Sequence, residues 1–106
     1  MDWVKIFSSA GEMERAVAPK QPRLLIVRGK NICLVREDGR LHAIEDRCSH
    51  NGESLSKGMV NFFGEVICPW HGYRFNLNTG RESGERSRDL VIYPIKEEPE
   101  GVFIGL

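Results

Sequence analysis

Two short motifs constrain this chain more than anything else in it: Cys48-Ser49-His50 and, after seventeen intervening residues, Cys68-Pro69-Trp70-His71-Gly72. Each supplies one thiolate and one imidazole, so the fold must bring two loops together. Soft thiolates combined with imidazoles suit zinc or iron-sulfur chemistry, and four such ligands could also build a structural zinc module. Spacing separates the two. Zinc knuckles usually contribute ligands of one kind each, with two to four residues between cysteines, whereas each motif here mixes the kinds. A dinuclear cluster with two differently ligated irons needs loops that each reach both irons, which one Cys and one His per loop can do.

The third cysteine, Cys33, lies in Asn31-Ile32-Cys33-Leu34-Val35 with no histidine beside it. An odd and sparse count argues against a disulfide framework, so Cys33 is expected to pack as a small core hydrophobe. His42, alone on an apolar strand pattern, is expected at the surface.

With 106 residues, 41% of them hydrophobic, the chain reads as one globular domain spanning 1-106. Fifteen basic residues balance fifteen acidic ones, leaving no overall field to attract nucleic acid or an anionic membrane. The runs Leu24 to Val27 and Leu90 to Ile92 are too short to span a bilayer, and Met1-Asp2-Trp3-Val4-Lys5 lacks a signal pattern. The expected location is cytoplasmic, with no membrane partner.

Short apolar segments alternate with turn signals, the pattern of an all-β sandwich or small barrel. Strands are predicted at Trp3 to Phe7, Arg23 to Arg28, Ile32 to Arg36 and Leu41 to Ile44. Gly29-Lys30-Asn31 is the expected turn of the first hairpin, and Glu37-Asp38-Gly39 is the clearest turn signal. Ser9 and Glu12 have capping-box spacing for one helical stretch over Ala10 to Ala16. A final hairpin is expected between Leu90 to Lys96 and Val102 to Ile104, across Glu97 to Gly101. From Asp46 to Gly80 glycine recurs at 52, 58, 64, 72 and 80, so loops are expected there rather than core.

The two motifs resemble the cluster-binding loops of the Rieske family, which read Cys-x-His and Cys-x-x-His about this far apart. The likeness extends to Arg36-Glu37-Asp38-Gly39 before loop one and Phe75 to Gly80 after loop two. It implies an antiparallel β-sandwich carrying a small cluster-binding subdomain of two loops, about 46-80, and one 2Fe-2S cluster. By the resemblance, Cys48 and Cys68 ligate an inner iron, and His50 and His71 an outer, partly exposed one that accepts the electron. Neutral imidazoles in place of two thiolates make reduction easier than in all-cysteine ferredoxins. Trp70 is expected to shield the cluster by packing.

Departures from other branches sharpen the implication. Cytochrome bc-type members carry an extra cysteine in each loop, at the positions of Glu53 and Trp70, and place Ser and Tyr at the positions of Tyr73 and Phe75. With neither disulfide nor those hydroxyl donors, the chain resembles the soluble, low-potential members. It also lacks the histidines for an oxygenase's mononuclear iron site, so it is expected not to be an enzyme. The resemblance implies a Rieske-type ferredoxin carrying single electrons from a flavin-dependent reductase to an oxygenase or other terminal enzyme. A second implied reading is the small subunit of a multi-subunit reductase, such as nitrite reductase. The segment Gly84 to Asp89 lacks the Pro common in the family's third loop and reads as a solvated, mixed-charge loop.

Overall fold

The computed structural model describes residues 1-106. Its strands form three antiparallel sheets, and the hairpins within them follow from local turn chemistry. β2 (Arg23–Val27), β3 (Lys30–Glu37) and β4 (Arg40–Glu45) are successive hairpins, with Val27 opposite Lys30 and Glu37 opposite Arg40. The turns are therefore two residues long, Arg28-Gly29 and Asp38-Gly39. All four have positive φ, from 50° to 77°, which fits the right-handed twist of the paired strands. The first turn thus lies one residue earlier than its composition suggests, since Arg28 accepts the left-handed conformation.

Trp3–Phe7 forms β1, and α1 covers Ala10–Ala16 as expected. The Ser9 hydroxyl accepts the Glu12 N–H at 3.0 Å, while the Glu12 carboxylate accepts from the Ser8 N–H and hydroxyl. This cap compensates for Gly11.

The segment Leu90 to Lys96 is not one strand. Pro94 divides it into β8 (Ile92–Tyr93), which pairs with β4, and β9 (Ile95–Glu98), which pairs with β10 (Gly101–Gly105). A central proline has no N–H for a ladder, so the chain changes sheets there. The final turn is Pro99-Glu100 alone. One sheet runs β1-β10-β9 and a second β2-β3-β4-β8.

β3 organises the interior because both of its faces are covered. Ile32 and Leu34 point into a core with Met13, Val17, Val102 and Ile104. Cys33 and Val35 point the other way, into a core with Ile44, Leu55, Val66, Phe75 and Leu77. That alternation is the two-residue period of a strand read in three dimensions. Cys33 is fully buried, as expected, and burial pushes its thiol pKa far up, with Asp46 adding to the shift.

A third sheet, β5 (Met59–Val60), β6 (Glu65–Ile67) and β7 (Arg74–Asn76), lies between β4 and β8 in sequence. Since β4 and β8 are hydrogen-bonded neighbours, the whole glycine-rich stretch is a lobe grown from one strand-to-strand connection. No helix is long and apolar enough to cross a membrane.

Candidate metal centre

The two motifs sit on loops built alike. Loop one leaves the end of β4, and loop two joins β6 to β7. In each, the cysteine N–H bonds the carbonyl five residues on at 2.8 Å: Cys48 to Glu53, and Cys68 to Tyr73. In each, the residue four after the cysteine is a glycine with positive φ, Gly52 at 79° and Gly72 at 71°. No backbone atom lies within 4 Å of where a Cβ on either would sit, so turn geometry alone accounts for them. His71 also adopts a left-handed φ of 78°, a conformation uncommon outside glycine.

These frames place like donors together. Cys48 and Cys68 are 0% and 1% exposed and belong to the same core as Val66 and Phe75. Burial pushes the Cys68 thiol pKa up, and the neighbouring Cys48 adds to the shift. A thiol so placed as that of Cys68 resists ionisation until a cation replaces its proton. The imidazoles of His50 and His71 are exposed, with centroids 5.8 Å apart and planes at 55°. No three His, Cys, Asp or Glu side chains close on one point. The donors form two pairs, inner sulfurs and outer imidazoles, which is the arrangement a dinuclear site with unlike irons requires.

Around these donors the sequence reading missed three supports. Asn51 donates from Nδ2 to the Trp70 carbonyl at 3.0 Å, lies 3.7 Å from the Cys68 sulfur, and accepts the Glu53 N–H through Oδ1 at 2.9 Å. It ties the loops together where bc-type members use a disulfide. Buried Asp46, just before loop one, accepts the Ser56 N–H and the hydroxyls of Ser54 and Ser56. It thereby anchors a short 3-10 turn at Leu55–Lys57.

The third support corrects the reading of Gly84 to Asp89 as a merely solvated loop. The Arg88 carbonyl accepts the Ser49 hydroxyl at 2.7 Å, and the Arg88 guanidinium forks onto Glu45 at 2.6 and 2.9 Å. Arg86 pairs with the fully buried Glu82 and lies over the ring of Tyr73. Backbone amides and Arg86 stabilise the ionised Glu82, and Arg86 is the largest cause of a pKa lowered to about 2. The loop is a wall of the site. Alternating charge signs conceal this in the sequence, because Glu45, the partner of Arg88, lies on β4, far along the chain.

Two smaller expectations also change. Trp70 is 55% exposed, and its ring leans on that of His71 at 5.0 Å and 35° instead of packing inside. His42 is half-buried beside β8, and desolvation lowers its pKa, with Arg40 contributing.

The sequence model of the Rieske 2Fe-2S domain matches residues 3-94. The chain belongs to the Rieske family. Among its relatives, the 3-phenylpropionate/cinnamic acid dioxygenase ferredoxin subunit of Shigella boydii is 36% identical over 92 residues, covering 86% of this chain and 87% of that one. Human apoptosis-inducing factor 3 is 38% identical over 74 residues, 69% of this chain, but the chain spans only 12% of that protein's length. The ferredoxin of carbazole 1,9a-dioxygenase from Nocardioides aromaticivorans shares the fold at a TM-score of 0.83 and 21% identity, covering 99% and 98% of the two chains. The Rieske domain carries a 2Fe-2S cluster, and the donor set found here suits one.

Proposed function

We propose that the chain is a Rieske-type ferredoxin in which Cys48 and Cys68 hold one iron of the cluster and His50 and His71 the other. The observation that carries this is the pairing of ligands by kind, sulfurs buried and imidazoles exposed. A bound cluster of this type stores and releases one electron at a time. The protein does the rest. The core around Phe75 and Val66 keeps water from the sulfurs, while the exposed edges of His50 and His71 give a redox partner its closest approach.

The acceptor fitting this reading is an oxygenase, as for the dioxygenase ferredoxin subunits among the relatives, and the donor a flavin-dependent reductase, both in the cytoplasm. Pro69 and Trp70 are exposed beside His71, and Met59 is 71% exposed nearby on β5, so the rim around the imidazoles is partly apolar and suited to transient docking. Residues 1-106 serve as one electron-transfer domain.

The purified chain is expected to contain two irons and two acid-labile sulfides and to give a rhombic EPR signal when reduced, consistent with the Rieske match. It should accept electrons from a flavin reductase and pass them to an oxygenase. A colourless protein binding one zinc would overturn the assignment.

A further inference from the structure

A line of contacts runs from a buried carboxylate to one of the exposed imidazoles. Glu82 is fully buried and accepts the backbone N–H groups of Gly84 and Arg86 at 2.7 and 2.8 Å. The same carboxylate accepts Nε and Nη2 of Arg86 at 3.0 and 2.8 Å, a two-point fork that leaves the guanidinium one orientation. Arg86 then lies 3.8 Å from the centroid of the Tyr73 ring. His50 stacks on Tyr73 at 4.0 Å, with only 9° between the planes. Two groups this close cannot share one face, so Tyr73 is sandwiched between guanidinium and imidazole.

His71 has no comparable support. Its aromatic neighbour is the half-exposed Trp70, tilted against it. The two imidazoles are thus held unequally.

We propose that Arg86, locked by Glu82, is a positioning residue that presses Tyr73 onto His50 and so fixes the plane of that imidazole and tunes the metal centre. This rests on the proposed ligand role of His50. Contacts of this outer kind orient a ligand ring and alter the electronic properties of the metal it holds. The cation and its carboxylate form a neutral pair, so the device works by geometry more than by net charge. Tyr73, which cannot act like the serine of high-potential relatives, instead serves as the spacer.

The test compares Arg86→Met with Arg81→Met, which breaks a solvent-exposed pair with Glu85 on the same loop. The reduced EPR g-values, midpoint potential, iron content and thermal unfolding are measured for each. Glu82 keeps the amides of Gly84 and Arg86 as partners, so Arg86→Met should still fold and load iron, with a lower thermal midpoint than the control because a buried carboxylate loses its cation. It should nevertheless shift both g-values and potential, while Arg81→Met leaves them at wild-type values. Tyr73→Leu should shift them in the same direction, and adding Arg86→Met to it should produce no further change. Arg86→Lys, which keeps the charge without the fork, should recover only part of the wild-type signature.

Wild-type g-values and potential in Arg86→Met would overturn the proposal. So would full recovery in Arg86→Lys, or an undiminished Arg86→Met shift in the Tyr73→Leu background, since either assigns the effect to charge alone. Failure of the wild-type protein to show a Rieske spectrum would instead sink the ligand assignment, an outcome read before any variant is made.

Discussion

Asn51 in the first loop donates from Nδ2 to the backbone carbonyl of Trp70 in the second, across 3.0 Å. The same amide lies 3.7 Å from the Cys68 sulfur. One side chain therefore joins the loops and offers a donor toward the sulfur of Cys68. Donors to sulfur stabilise the more negative, reduced state. Asn51→Ala is expected to lower the midpoint potential by about 40 mV, since a hydrogen bond contributes about 1 kcal/mol and about 59 mV is tenfold for one electron. It should also speed iron loss. Potentiometric titration and timed iron release to a chelator measure both.

The wild-type potential itself should lie near the low end of the Rieske range, about −150 mV rather than about +300 mV. Phe75 is fully buried with no hydroxyl, and Tyr73 is held flat against His50. The sulfurs thus lack the Ser and Tyr donors of high-potential members. A midpoint well above zero contradicts this account.

Ligand variants should separate the four site residues from the remaining cysteine. His50→Ala and His71→Ala are expected to abolish the native spectrum and electron transfer while preserving the β framework, because both rings are exposed. Cys33→Ser should leave the visible spectrum intact and cost stability, since it puts a hydroxyl into a fully buried apolar position. Native spectra in both histidine variants would disprove their role.

Asp46 is a structural anchor with a measurable cost of removal. Asp46→Ala strands the Ser56 N–H and two hydroxyls in a half-buried site and should destabilise the chain by about 2 kcal/mol. Denaturant unfolding reads this directly, and an unchanged midpoint would show that water replaces the carboxylate at no cost.

Glu82 should make the third loop acid-sensitive. Its folded pKa, about 2, is below the ordinary 4.5, so its contribution is full above pH 4.5 and is lost as pH falls toward about 2. Arg86 stays charged throughout. The difference in thermal midpoint between wild type and Glu82→Gln should therefore shrink over that interval. A difference independent of pH would mean that the ionised carboxylate adds nothing.

The two Cys-His motifs, the family and most of the hairpins were legible in the sequence, because each is written within a few consecutive residues. Cys48 with His50, Cys68 with His71, Asp38-Gly39 and Ser9 with Glu12 act at short range through turn and cap geometry. The remainder depends on contacts between segments far apart in the chain. Pro94 ends one strand and begins another in a different sheet, which depends on where β4 and β10 lie to receive them. The contact of Tyr73 with Arg86 spans thirteen residues and the pairing of Glu45 with Arg88 spans forty-three. Neither leaves a periodic trace in the chain, since charged and aromatic side chains find such partners through the packing of separate loops. The same packing sorts the four proposed ligands into buried sulfurs and exposed imidazoles.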